Sequence, residues 1–386
     1  MSRWPNKYVI GLTGNIAVGK SVVRQMLQHL GAYTIDADGL AHQAMAPGAP
    51  AYRPVVEMFG RFILAPDGRI DRSKLGSIVF AVPEALATLE SLTHPVVLQA
   101  INTLVTRASQ RVVVIEAIKL LETDLAQAVD TIWVVDAAPE TQLRRLVEKR
   151  GLSPEEAHKR ITAQRAQAEK LQRADRIIRN DGHVDETWRQ VQAGWAEIQR
   201  ALGAVAGPAN TPRIDSPAQP SATTEITIRR GMPGNAELIA EFLSKVSGKQ
   251  VSRMDVMLSF GQKSYLLAID QAGRVAGIIG WQVENLITRA DEFYLAPDAP
   301  RDPVVKALVE AVEEASKELQ SEVGFILLPP NAPGETIQAF QRTGYETTAL
   351  EEIRIPAWRE AVYEMAAENP RILMKRLRPD RVMKPI

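Results

Sequence analysis

Apolar residues along the first part of the chain alternate between short continuous runs and stretches with helical spacing. Tyr8–Leu12 is one short run, and Val22, Val23, Met26, Leu27 and Leu30 then follow every three or four residues up to Gly31. This pattern predicts a strand, a glycine turn and a helix that ends at a glycine C-cap. Three further short runs, Tyr33–Ile35, Arg111–Ile115 and Thr131–Val135, predict strands separated by helical stretches. That rhythm belongs to an α/β fold, a parallel sheet with helices on both faces.

Two regions depart from the rhythm. Residues Ala44–Gln110 carry helical patterning broken by Pro47, Pro50, Pro54, Pro66 and Pro83, which suits a helical subdomain set outside the sheet. Arg144–Arg179 holds eleven Lys or Arg against five Asp or Glu. Here Ser153, Pro154 and Glu156 supply an N-cap, a first helical residue and a capping box, so a basic helix pair resembling a kinase lid is expected. An apolar segment before Asn180 and a helix over Glu186–Leu202 complete a domain at residues 1–203.

Residues 204–224 are rich in Pro, Ala, Gly, Ser and Thr and read as a linker. A second domain, 225–386, begins with the strand EITIRR and helices at Asn235–Val246 and Ser252–Phe260. The hairpin SYLLAID–QAGR–VAGIIGWQVE and the strand ADEFYLAP come next, then a long helix over Pro303–Leu319. The strand VGFILLPP, the helix ETIQAFQRTG and the strand RILMKRL close an α+β pattern.

Composition narrows the classes. A chain of 386 residues that is 45% hydrophobic has room for two or three globular domains. Lys+Arg and Asp+Glu both number 46, so charge gives no reason to expect a nucleic-acid or membrane-surface partner. With no cysteine there is no disulfide framework, thiolate metal site or cysteine nucleophile. The start carries no signal-peptide apolar core and no run reaches transmembrane length, so a cytoplasmic protein is expected.

Candidate chemistry centres on the turn after the first strand. Gly14, Gly19, Lys20 and Ser21 fit GxxxxGK[ST], with Asn15, Ile16, Ala17 and Val18 between and Val22 following. Amides at a helix start, the helix dipole and the Lys20 charge would cradle a polyphosphate such as ATP, and the Ser21 hydroxyl would meet Mg²⁺. A glycine turn before a core helix is the plainer reading. Asp36 and Asp38 close the second strand at the sheet edge where ligands bind. Asp38 is the first candidate for a general base and Asp36 the fallback, although Asp38 is also placed to cap the next helix. Glu116 ends an apolar strand and could orient metal-bound water or cap the residues after it. GRIDRSKLGSIVF carries the basic residues Arg69, Arg72 and Lys74, and SLTHPV carries Thr93, His94 and Pro95, where a histidine before proline reads more plainly as a helix-start hydrogen-bonding group.

The runs GLTGNIAVGKS, TIDADGLAHQAMAPG, RIDRSKLGSIVF, LTHPVV, ETQLRRLVEKRGLSPEEAHKRITAQ and ADRIIRNDG resemble, in order, the motifs of dephospho-coenzyme A kinases. The resemblance covers about the first two hundred residues. It implies a P-loop kinase fold with a helical acceptor subdomain and a lid. The activity implied is transfer of the ATP γ-phosphate to the 3′-hydroxyl of dephospho-CoA, with Mg²⁺. By position it implies that Asp38 is the base, that Lys20 and Ser21 serve the phosphates and Mg²⁺, and that Thr13, Arg72 and His94 lie near the acceptor. Arg160 would be a lid arginine and Asn180 a residue near the adenine. Departures fall at Asn15 and Ala17, where the family commonly has glycine, at Lys119 in an apolar motif, and at Lys149 in place of a lid arginine. Another P-loop small-molecule kinase and a non-catalytic nucleotide-binding protein are the alternatives; an NKxD guanine motif is lacking.

The second domain resembles the GNAT acetyltransferase fold. That family holds acetyl-CoA on amides of a glycine-containing loop between the central strand and the long helix. Here the junction reads LAPDAPRDPVVKAL, with no glycine and with Pro300 and Pro303 removing donors. A non-catalytic domain that binds CoA, acetyl-CoA or a partner, or that only stabilises the chain, is expected.

Overall fold

In the computed structural model the described residues are 3–162, 164, 167–203, 226–363 and 370–379. The linker at 204–224 lies outside them, as do the side chains of Lys149 and Arg150. The first sheet contains β1 (Tyr8–Thr13), β2 (Tyr33–Asp36), β3 (Val112–Glu116), β4 (Thr131–Asp136) and β5 (Arg176–Arg179), in the order β2-β3-β1-β4-β5. β1 runs parallel to β3 and β4, and β4 parallel to β5. Four of these strands were expected, and the fifth is the segment before Asn180. In RIIR only Ile178 is buried while Ile177 is 38% exposed, so neither a period of two nor an apolar run marks it.

The core of this sheet gathers Ile10, Leu12, Val114, Trp133 and Val135 under Val23, Met26 and Leu27 of the helix Lys20–His29. The helix Val184–Ala201 adds Val191, Trp195 and Ile198. Apolar positions predicted for the first helix are thus the ones that pack.

Residues 36–108 form helices Ala37–Ala44, Tyr52–Phe59, Arg72–Ala81 and Pro83–Arg107 around Val55, Ile63, Leu75 and Val79. The last of these runs 25 residues straight through Pro95. The basic segment forms Pro139–Arg150, Pro154–Thr162 and Gln167–Gln172. The capping box is present: the Glu156 amide donates to Ser153 Oγ at 3.2 Å.

A second sheet of seven strands holds β6 (Thr227–Gly231), β7 (Ser264–Ile269), β8 (Val275–Glu284), β9 (Ile287–Leu295), β10 (Val323–Leu328), β11 (Glu346–Thr348) and β12 (Arg371–Arg376). Their order is β11-β12-β10-β9-β8-β7-β6. β9 and β10 pair in parallel only over Ile287–Ala290, while the β6–β7, β7–β8, β10–β12 and β11–β12 pairs are antiparallel. Asn285 and Leu286, at φ 51° and 66°, turn the chain between β8 and β9, as a two-residue hairpin requires. A helix at Pro356–Tyr363, not expected from the sequence, buries Trp358 and Val362 beside Phe325 and Ile372.

By contact the chain forms two compact units. One comprises residues 1–35, 109–282 and 292–312; the other comprises 36–108, 283–291 and 313–386. Each unit takes in sequence from both sides of the 204–224 stretch.

Candidate active site

In the first unit, the loop between β1 and the helix Lys20–His29 turns through left-handed backbone at Gly14 (φ 147°) and Gly19 (φ 97°). A Cβ at Gly19 would overlap the Asn180 side chain, so glycine is required by packing as well as by φ. Ala17 lies between them at φ 60°, a strained value for a residue with a Cβ. Loop carbonyls are held from behind. Arg145 Nη1 donates to the carbonyls of Ala17 and Val18 at 3.0 and 3.1 Å, and Asn180 Nδ2 donates to Val18 at 2.8 Å. Arg145 Nη2 also reaches the Asn180 carbonyl at 2.6 Å, and Thr187 Oγ1 donates to Asn180 Oδ1 at 2.9 Å. Asn180 is therefore a buried strut beneath the loop.

Two loop amides have protein partners. The Asn15 amide donates to Gln167 Oε1 at 3.0 Å and the Ile16 amide to Gln164 Oε1 at 2.7 Å. Gln167 is itself anchored to the Val135 carbonyl at 2.9 Å and to Asp136 Oδ1 at 3.1 Å. The first amides of a helix, here beginning at Lys20, have no partner within the helix. Lys20 is 7% exposed, and its Nζ donates to the Asn15 carbonyl at 3.2 Å. Ser21 is exposed in the same turn, and Arg160 is exposed on Pro154–Thr162.

The ends of β1 and β3 are tightly tied. Thr13 is wholly buried, and its hydroxyl donates to the Ile118 carbonyl at 3.1 Å, an oxygen that also accepts from Lys170 Nζ at 3.0 Å. Glu116 Oε2 accepts from Arg24 Nε at 2.7 Å, both side chains being 8% exposed. No helix begins at Ala117, whose amide bonds the Leu12 carbonyl, so Glu116 is not a cap. Arg24, Arg145, Gln164 and Gln167 were not singled out by sequence reading, because one arginine or glutamine in a helical pattern looks like any solvated position.

In the second unit, Asp36 Oδ1 accepts the Gly39 amide at 3.0 Å and so caps Ala37–Ala44. Asp38 stands within the first turn, two residues after the cap, half-buried, and is not the cap. His94 is half-buried in the middle of Pro83–Arg107 rather than at a helix start. Arg72 opens Arg72–Ala81, one residue after its N-cap Asp71. Arg72 and Arg69 line a cavity of about 380 Å³ whose other walls include Met45, Ile70, Leu75 and Val79.

For the proline-rich junction after β9, the structure puts the Ala296 amide on the Ala276 carbonyl and the Ala299 amide on the Ala296 carbonyl. Pro297, Pro300 and Pro303 offer no amide hydrogen. A cavity of about 330 Å³ beside it is lined by Lys245 and Arg274, and Arg274 already bonds Asp270 at 2.8 Å.

The family model for dephospho-CoA kinase matches residues 8–186. A dephospho-CoA kinase of Geobacter metallireducens is 48% identical over 192 residues, covering 49% of this chain and 96% of the relative. One from Streptomyces avermitilis is 46% identical over 190 residues, 49% of this chain and 93% of the relative. A solved GNAT-superfamily phosphinothricin acetyltransferase from Sinorhizobium meliloti is similar over 42% of this chain and 93% of its own, at TM-score 0.32 and 16% identity. With relatives at this identity matched nearly from end to end, the chain belongs to the dephospho-CoA kinase family and is an ATP-dependent kinase.

Proposed function

We propose that Lys20 and the amides at the start of Lys20–His29 hold the ATP triphosphate while Asp38 receives the proton of the attacking 3′-hydroxyl of dephospho-CoA. The observation carrying this reading is the loop itself: left-handed Gly14 and Gly19, with Lys20 folded back onto Asn15 at the loop's base. The acceptor oxygen forms its bond to the γ-phosphorus as the bond to the β,γ-bridging oxygen breaks, and the hydroxyl proton passes to the Asp38 carboxylate. The cap contact made by Asp36 supports Asp38 as the base, since Asp36 is committed to the Gly39 amide.

Mg²⁺, when bound, supplies charge neutralisation between the β- and γ-phosphates. The Ser21 hydroxyl suits it, being exposed in the helix's first turn. A Mg²⁺ site of this type needs few protein ligands because phosphate and water oxygens complete it. Glu116, engaged by Arg24, orders the helix that carries Lys20. Arg72 and His94 are assigned to acceptor binding and Arg160 to the transferring phosphoryl group, while Asn180 keeps the loop in shape. The domain at 225–386 is assigned no acetyl transfer, and any CoA or acetyl-CoA it binds would lie beside the proline-rich junction. No described helix is long and apolar enough to cross a membrane, and a cytoplasmic location suits an enzyme that consumes ATP.

The test is kinetic. Lys20→Ala should abolish measurable transfer with folding retained, and Asp38→Asn should lower kcat by about a hundredfold or more with ATP affinity unchanged. Turnover within a few fold of the parent in Asp38→Asn would remove the base from that residue.

A further inference from the structure

Residues 36–108 are gripped by segments from beyond residue 226 at several points within their unit. Gln43 Nε2 donates to the Asn285 carbonyl at 2.7 Å, and Gln320 Nε2 donates to the Leu104 carbonyl at 2.9 Å. The Asn285 side chain lies so close to Gly39 that a Cβ there would overlap it. The remaining point is ionic: Arg72 Nη2 donates to Glu360 Oε1 at 2.6 Å. Glu360 stands on Pro356–Tyr363, and Trp358 and Val362 of that helix are buried with Val323, Phe325 and Ile372. Core packing therefore sets where Glu360 can reach, independently of the ion pair.

The pair sits on the wall of the 380 Å³ cavity, which has two guanidinium groups on an otherwise largely apolar lining. Each has its own carboxylate. Arg69 is bonded by Asp67, two residues away in the same turn, at 2.6 Å. Nothing local calls for Glu360, which comes from 288 residues further along. Carboxylate and phosphate oxygens use the same fork of guanidinium donors. The Arg72 and Glu360 side chains are 50% and 27% exposed, so water screens the pair and it is readily exchanged.

We propose that Glu360 is an internal competitor for the acceptor's phosphate oxygens: its carboxylate occupies Arg72, and dephospho-CoA binds by taking its place. This rests on the reading of Arg72 as an acceptor contact. The acceptor dianion brings more charge and more oxygens to the guanidinium than one carboxylate, and so prevails at sufficient concentration. Pro356–Tyr363 thereby sets acceptor affinity without touching ATP.

The experiment uses the full chain and compares Glu360→Gln, Arg72→Ala and the double variant. Glu360→Gln should lower KM for dephospho-CoA by about two- to fivefold, leaving kcat and KM for ATP unchanged. Arg72→Ala should raise KM for dephospho-CoA, and adding Glu360→Gln to it should then have no further effect. Equilibrium binding of dephospho-CoA without ATP should follow the same order. An unchanged or raised KM in Glu360→Gln, with KM raised in Arg72→Ala, overturns the competitor and leaves Arg72 as an acceptor contact. An unchanged KM in Arg72→Ala overturns that reading of Arg72 and the competitor with it.

Discussion

Ala17 shows what a single residue costs in a phosphate loop. At φ 60° its Cβ crowds the following carbonyl, and the conformation costs on the order of 1–2 kcal/mol in an L-residue. Ala17→Gly should therefore raise stability by about 1 kcal/mol, read as a higher denaturation midpoint with unchanged slope, with ATP binding preserved. The four fixed positions of the loop were legible because chemistry demands those residue types at that spacing. Which of Asp36 and Asp38 would cap the helix was not legible, since both lie within reach of its start, and only backbone geometry at the end of β2 selects Asp36. Asn180 was read through resemblance as a nucleotide neighbour, and its bond to Val18 spans 162 residues, hence is invisible in sequence.

Among elements, the helix Lys20–His29 and β3 are joined by Arg24 and Glu116, each nearly excluded from water. Removing Arg24 takes a guanidinium donor away from a buried carboxylate, so Arg24→Ala should destabilise the chain by roughly 3–5 kcal/mol in urea unfolding. Replacing both with apolar residues of similar volume should cost much less, which separates the pair's net worth from the penalty of breaking it. The sequence made the strand and helix evident through periodicity. It did not disclose β5, too short and too half-exposed for a pattern, nor Pro356–Tyr363, whose apolar anchors Trp358 and Val362 are only two. Pro95 likewise did not divide Pro83–Arg107, a helix that packs Leu86, Leu89 and Leu92 before the proline and buries Val97, Ile101 and Leu104 after it.

On the scale of the whole molecule, the face of Lys20–His29 away from its own sheet is covered by sequence from beyond the 204–224 stretch. His29 is fully buried, its Nε2 lies 3.0 Å from the Phe260 carbonyl, and its ring meets Phe260 edge-on at 5.5 Å. Gln25 Nε2 reaches Ser264 Oγ at 3.4 Å, and Arg230 Nη2 reaches the Gln28 carbonyl at 3.4 Å. Polar residues on that face look like a solvated surface in the sequence, so this contact was not foreseen. Burial, and secondarily the Arg230 charge, lowers the His29 pKa from 6.5 to about 3. The unfolded chain thus binds a proton near pH 6.5 that the folded chain refuses. Stability from this group is complete above pH 6.5 and lost as pH falls towards 3, with a limiting slope of about 1.4 kcal/mol per pH unit. Urea unfolding between pH 7 and pH 4 should show this slope, and His29→Phe should flatten it while lowering stability at pH 7 through the orphaned Phe260 carbonyl.

Gln164 and Gln167 offer neutral amide oxygens to the same Asn15 and Ile16 hydrogens that an anion would seek. The resting loop is thus kept in shape by weak dipolar occupants, spared from collapse onto itself yet easily vacated. A triphosphate arriving there would displace two uncharged side chains, Gln167 at the start of Gln167–Gln172 and Gln164 ahead of it in the chain, without breaking an ion pair.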